Sequence, residues 1–250
     1  MAHRKCPLPR YPLCSTRNRL RRGIVATQPE LYDARPFVVC HLNMTLNGQV
    51  DEPFIPAAAD PAVQLSVAAA RAAHRDTAAA FQAPTWLTDL ATLQAGNLFS
   101  GRVPAPEQVV VLDPMGRRRP EDVSDSTIFV LSEEAAKARW TPEALDSRHV
   151  VAGAQDIDLP KALEELRTSF GIEALLVAGP QRLCSELLTA GLIDEVSLIW
   201  NPIIDLRPGA GAVFPPLTDT PPTPISMELL SVQALEDGIL WARYQPAKTA

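Results

Sequence analysis

Cysteine is scarce in this 250-residue chain, and no two cysteines share a useful spacing. Cys6, Cys14, Cys40 and Cys184 form no CxxC, and His3, His41, His74 and His149 show no metal-ligand spacing. That argues against a zinc module or a disulfide framework and fits a reduced, cytoplasmic compartment. No apolar run approaches the roughly 18 residues that a membrane-spanning helix needs. Glycine numbers 12 against 24 prolines. There is no Walker loop, no G-x-S-x-G elbow and no G-x-G-x-x-G after a strand; Gly209-Ala210-Gly211 sits in a proline-rich stretch. The H-x-E and P-C-x-x-C pair of the zinc deaminases is also missing. Internal repeats are absent.

Basic charge is scarce outside one segment. The chain holds 23 Lys and Arg and 29 Asp and Glu, for a net charge of −6. Seven of the bases fall before Ile24, where there is no acid, leaving 16 bases against 29 acids in the remainder. An acidic body excludes a nucleic-acid partner, because phosphate backbones need basic surface. Residues 1–35 lack hydrophobic periodicity. Their Arg-rich, acid-poor composition suits a disordered extension, an over-long start or an organellar transit peptide. Residues 36–250 then read as one domain, of a size that buries a sizeable core.

What is present is an alternation of short apolar runs and helical patterns. Strands are expected at 37–44 (FVVCHLNM), 108–112 (QVVVL), 127–131 (TIFVL), 149–152, 174–178 and 196–200. Helices are expected at 60–75, with Asp60 capping and Pro61 in the first turn, and at 85–94, with Thr85 capping. Residues 158–170 are the clearest helix. Asp158 caps it, Leu159, Leu163, Leu166 and Phe170 share a face, and Gly171 stops it. A further helix spans 181–190 and stops at Gly191. Residues 227–232 and 239–244 flank Glu236-Asp237-Gly238 as a hairpin. The fold class is therefore α/β: a mostly parallel sheet with flanking helices, closed by an antiparallel C-terminal hairpin.

The stretch 172–202 (IEALLVAGPQRLCSELLTAGLIDEVSLIWNP) carries the most information, above all Gly191-Leu192-Ile193-Asp194-Glu195 after its helix. Together with Thr45-Leu46-Asn47-Gly48, VVVLDPMGRRR at 109–119 and TAAAFQAPTW at 77–86, it resembles the reductase domain of riboflavin biosynthesis, the RibD C-terminal domain, over roughly residues 36–246. The family's usual Ser-Leu-Asp-Gly is similar to Thr45–Gly48. Its Asp-Ala-Ile-Leu-Val-Gly-x-Gly-Thr-Val resembles 77–86, with Gln82 and Pro84 standing where glycines are usual. Its Glu-Gly-Gly is similar to Ala178-Gly179-Pro180.

The resemblance implies a dihydrofolate-reductase-like fold, hydride transfer from NADPH to a ribosylaminopyrimidine phosphate, and a homodimer. It places Thr45 and Asn47 at the substrate and names no catalytic residue. It places Thr85, Arg117, Arg118, Ser132, Gly179 and Arg182 at the cofactor. Arg suits the adenosine 2′-phosphate through paired hydrogen bonds, and a glycine allows backbone to approach a phosphate. Each residue also has a structural reading: Asn47-Gly48 as a turn, Thr85 as a cap, the arginines as a solvated loop, and Pro180 as a good helix start that removes one N–H donor. His41 and His149 read as satisfied sheet residues. Two functions stand open: an NADPH-dependent reductase, and a reductase fold kept as a binding or assembly module. The second draws on the changes at Asn47, Gln82, Pro84, Ala178 and Pro180.

Overall fold

The computed structural model describes residues 34–49, 61–95, 106–118, 122, 124–139, 148–207, 211–218 and 224–247. Nine strands form one sheet: β1 (Phe37–Thr45), β2 (Thr85–Asp89), β3 (Gln108–Leu112), β4 (Thr127–Leu131), β5 (His149–Val151), β6 (Ala174–Val177), β7 (Glu195–Asn201), β8 (Met227–Ala234) and β9 (Leu240–Pro246). Among the described residues five α-helices accompany them: α1 (Pro61–Ala78), α2 (Leu90–Gln94), α3 (Glu133–Arg139), α4 (Leu159–Thr168) and α5 (Gln181–Thr189). The strand order is β5-β4-β3-β2-β6-β1-β7-β9-β8. The first seven run parallel, and β9 pairs antiparallel with both β7 and β8. The parallel strands are short and Val-rich because helices cover both faces and leave no solvated side.

Alternation along each strand divides the core in two. Val38, Cys40, Leu42 and Met44 of β1 join Leu163 and Leu166 of α4 and Leu183, Cys184 and Leu187 of α5. Val39 points the other way, with Trp86, Val111, Phe129, Leu176 and Trp241, toward Ala69 and Ala73 of α1. Burial pushes the Cys40 thiol up, and its contact with Cys184 pushes it further the same way. Spacing had not suggested that these two cysteines meet.

Asp158 caps α4 by accepting from the Lys161 N–H, as expected. The Gly171 N–H bonds to the Arg167 carbonyl with φ at +66°, a left-handed stop that a side chain would strain. Asp194 receives both guanidinium nitrogens of Arg35, at 2.7 and 2.8 Å, and the Val38 N–H at 2.8 Å. The acid of the Gly191–Glu195 motif therefore anchors the start of β1.

One expectation about local structure needs correction, and one helix was not expected. The helix expected at 85–94 is mostly strand: Thr85–Asp89 is β2, and only Leu90–Gln94 is helical, capped by Asp89 rather than Thr85. Thr-Trp-Leu-Thr is β-branched and aromatic, and it pairs between β3 and β6, so sheet context outweighs a short ambiguous apolar pattern. Residues 77–81 belong instead to the end of α1 and a following 3-10 turn. Gln82 and Pro84 precede β2 at the amino end of the sheet, so they do not face the edge where the strands terminate. The strand-then-turn pattern attributed to 77–86 falls on 85–93. Helix α3 is the element that was not expected. Its signal was present in Ser132, a capping residue, followed by Glu133 and Glu134 in the first turn.

Candidate functional site

In an open parallel sheet, ligands gather outside the carboxyl ends of the strands, near the point where strand order reverses. Here that edge carries Thr45 at the end of β1, Asp89 at the end of β2, Asp113 after β3, Ser132 after β4, Ala178-Gly179-Pro180 after β6 and Asn201 at the end of β7. Helix α1 covers one face and α5 the other. Of the residues nominated from sequence, Thr45, Asn47, Arg117, Arg118, Ser132, Gly179 and Arg182 all belong to strand ends, turns or helix starts on this edge. Thr85 does not. It begins β2 at the opposite edge, buried, with its hydroxyl 3.5 Å from the Gln108 side chain.

Most of these groups are engaged within the protein. Thr45 donates its hydroxyl to Asn47 Oδ1 at 2.8 Å and accepts the Gln49 N–H at 3.0 Å. Asn47 donates to the Asp205 carbonyl at 2.7 Å and accepts the Asp205 N–H at 3.1 Å. It thus stitches the β1 turn to the loop after β7. The Arg207 side chain, aided by its N–H, holds the Asp205 carboxyl below its ordinary range. Ser132 donates to the Pro114 carbonyl and accepts the Ala135 N–H, capping α3. Arg182 pairs with Glu186 one turn along α5, at 2.7 Å. A side chain on Gly179 would meet Leu183 Cδ2 at 2.9 Å and the Thr88 backbone at 3.5 Å. The first contact is relieved by a shift of the Leu183 side chain and the second is ordinary van der Waals contact, so α5 packs closely on β2 here without excluding a small side chain.

Asp113 organises the arginine turn. It is buried, and its carboxylate accepts the N–H groups of Arg117 at 2.8 Å and Arg118 at 2.9 Å. Arg118 then lies over the Phe129 ring, 4.6 Å from its centre, beside His149. Arg117 is exposed at the edge. Its cation, on a backbone fixed by Asp113, suits a terminal phosphate. Asp113 lies within the motif VVVLDPMGRRR and its turn signal was legible, but the motif assigns it no role of its own. Asp89 was overlooked for a different reason. Once β2 is recognised, its carboxylate stands at the first turn of α2 and accepts the Thr92 N–H at 2.8 Å.

A second polar stripe lies under α1. On that face β1 presents His41, Asn43 and Thr45, and its neighbour β7 presents Glu195, Ser197 and Asn201, all buried. His41 bonds Ser197 at 2.9 Å and the His74 carbonyl at 3.0 Å, and Trp241 donates to Ser197 at 2.8 Å. Glu195 holds the Arg243 guanidinium through two bonds. Polar residues at every second position of a strand buried on both faces are a legible signal, of which His41 reads as a sheet residue and Thr45 as a substrate residue.

A separate cavity of about 810 Å³ lies between α5, β7 and β9, walled by Leu188, Phe214, Leu217, Met227 and Tyr244, with the Ser185 hydroxyl. None of the nominated residues lines it. Among the described residues no His, Cys, Asp and Glu cluster could hold a metal, and no helix is long and apolar enough to cross a membrane.

Comparison with known proteins places this geometry. The sequence model of the RibD C-terminal domain matches residues 66–241. Over 99 residues the chain is 35% identical to a 2,5-diamino-6-ribosylamino-4(3H)-pyrimidinone 5′-phosphate reductase of Methanothermobacter thermautotrophicus, covering 38% of this chain and 45% of that protein. The match thus spans less than half of that relative. RibD of Acinetobacter baumannii is similar in structure, with a TM-score of 0.56 at 20% identity over 86% of this chain and 58% of that one. The riboflavin biosynthesis reductase Rib7 of Saccharomyces cerevisiae gives 0.55 at 16% identity, over 86% and 91%. At such identities the likeness shows the fold, which is the dihydrofolate-reductase-like α/β architecture expected from sequence.

Proposed function

Because this chain belongs to the RibD C-terminal domain family, we propose that it is a reductase of the riboflavin-pathway type, acting on a ribosylaminopyrimidine phosphate with NADPH. The observation that carries this reading is the carboxyl edge itself. Arg117 is offered there beyond β3, the Gly179 turn opens α5 beyond β6, and a polar stripe lies between β1, β7 and α1. These groups fit a phosphorylated dinucleotide at its adenosine end and a polar base at its other end.

NADPH, when bound, supplies a hydride. The chain's own contribution is positioning. Arg117 and Arg118 would take the 2′-phosphate, and Asp113 fixes their backbone. The turn 178–180 would hold phosphate through the N-terminus of α5, with one donor fewer because Pro180 has no N–H. Thr45 and Asn47 set the floor of the substrate end through their bond to each other. Ser132 and Arg182 remain nearby candidates that would first have to release their present partners.

Titration of the protein with NADPH, followed by calorimetry, tests the reading. Saturable binding followed by NADPH oxidation with a diaminopyrimidinone or aminouracil ribotide is the expected result. No binding at millimolar cofactor overturns it. One observation favours the second reading, a binding or assembly module: the Asp89 carboxylate already occupies the Thr92 N–H at the start of α2, so that backbone donor is not open to a phosphate. Tight pyrimidine ribotide binding without hydride transfer would decide for it.

The partner at the other side of the sheet is read as a second copy of this chain. Edge strand β8 exposes Leu229, Leu230 and Val232, which lie on both of its faces, and an unpaired apolar edge is a template for another strand. Sedimentation equilibrium checks for the dimer.

A further inference from the structure

The stripe under α1 is closed by hydrogen bonds at every position except two. His41, Thr45, Glu195 and Ser197 all have partners. Asn43 and Asn201 do not complete theirs: the side-chain oxygen of each is buried and accepts no hydrogen bond among the described residues. Both residues are at least nine-tenths buried.

The orientation of each amide follows from its nitrogen. Asn201 Nδ2 donates to the Met44 carbonyl at 3.0 Å and the Ile199 carbonyl at 3.4 Å, and Asn43 Nδ2 donates to the Ala70 carbonyl at 3.4 Å. Rotating either amide would turn oxygen against a carbonyl oxygen, so the oxygens are left facing away from those carbonyls. Two buried acceptors without donors cost about 1–3 kcal/mol each if nothing supplies a proton. Asn201 sits opposite Thr45 in the β1–β7 register, and Asn43 is two residues before Thr45 on the same face. Both acceptors therefore belong to the carboxyl ends of neighbouring strands, on the α1 side of the edge.

We propose that Asn43 and Asn201 recognise the base of the substrate, each side-chain oxygen accepting a hydrogen bond from an amino or ring N–H of an aminopyrimidine. The inference rests on reading this edge as a pyrimidine site and names the residues that select the amino group. A donor-rich heterocycle completes both acceptors, and a base lacking the amino group leaves one buried and unmet. Such sites discriminate strongly, because the wrong ligand strands a polar group that solvent does not reach. Neither asparagine titrates, so the selection is independent of pH. Both act as specificity residues, with no part in proton or hydride transfer.

Calorimetry on the full chain with 6-aminouracil and uracil tests this without cofactor. The amino compound should bind about tenfold more tightly, the ratio that one added hydrogen bond to a buried acceptor supports. Asn43→Leu should bring that ratio close to one; a merely structural asparagine would lower thermal stability and leave the ratio alone. Should Asn43→Leu fail to fold, side-chain amide shifts of Asn43 and Asn201 in the unaltered protein provide the second measurement. Both should move with 6-aminouracil, and only one of the two with uracil. A ratio near one in the unaltered protein, no binding of either compound at millimolar concentration, or an ordered water satisfying both oxygens in the 6-aminouracil complex overturns the proposal. Failure of NADPH to bind would remove the reductase reading and leave this ratio untouched.

Discussion

The carboxyl ends of β2, β3 and β4 and those of β1 and β7 lie on one edge of one sheet, yet they treat polar groups in opposite ways. Around β2–β4 the turns are self-contained. Asp89 caps α2, Asp113 takes two backbone N–H groups, and the Ser132 hydroxyl both donates and accepts. Around β1 and β7 a buried polar stripe stops one partner short at Asn43 and Asn201. The first region spends its polar groups on holding a backbone shape, and what it offers outward is the exposed cation of Arg117. The second keeps acceptors in reserve. A scaffold that orients a charged end by backbone geometry and selects a base by side-chain hydrogen bonds would divide its edge in this way.

The largest expected effect attacks the closed region at its centre. Asp113→Ala should lower unfolding free energy by about 2 kcal/mol, since two charge-assisted bonds to a buried carboxylate are lost. Urea denaturation measures it, and an unchanged midpoint would mean that the turn keeps its shape without its own carboxylate. Arg117→Ala comes next. NADPH should bind about tenfold more weakly while NADH is unaffected, because only the 2′-phosphate contact is removed. Equal losses for the two cofactors would place Arg117 elsewhere.

Asp89→Ser keeps a capping oxygen and removes the charge. NADPH affinity should rise about fivefold, with stability within about 0.5 kcal/mol of the unaltered protein. A fall in affinity would mean that the carboxylate assists binding. The smallest effect concerns Asp205, which joins the β1 turn through Asn47. Its folded pKa is depressed, chiefly by the Arg207 side chain. Its contribution is therefore present above the ordinary aspartate range and disappears as pH falls through the lowered value. An NMR titration of the Asp205 carboxyl should show a midpoint below that of a model peptide; an ordinary midpoint would show that the Arg207 pairing does not persist in solution.

Much of the fold was legible. Strands β3 and β4 fall on the expected residues, and the cap and stop of α4 are where Asp158 and Gly171 put them. β2 was misread because Thr-Trp-Leu-Thr-Asp-Leu-Ala-Thr-Leu permits either period, and only pairing between β3 and β6 decides for a strand. That misreading moved Gln82 and Pro84 onto the site. With both at the far end of the sheet, the altered turn at Ala178-Gly179-Pro180 is joined by Asp89 instead. Asn43 was legible as a polar residue in a buried strand, but Asn201 becomes its neighbour across a sequence separation of 158 only when β7 lies down beside β1.

The sequence by itself determined the alternation of short buried strands and capped helices, and with it a parallel sheet closed by a hairpin, since apolar period, caps and glycine stops act within a few residues. The tertiary structure decided which polar groups are spoken for. Thr45, Asn47, Ser132 and Arg182 looked alike as donors on paper, and each proved to have a partner in the fold. Asn43 and Asn201 drew no attention and hold two of the unmet buried oxygens among the described residues, Ser185 Oγ being another. Hydrogen-bond satisfaction depends on groups that the chain brings together from far apart, so the requirement for a ligand is written in the packing.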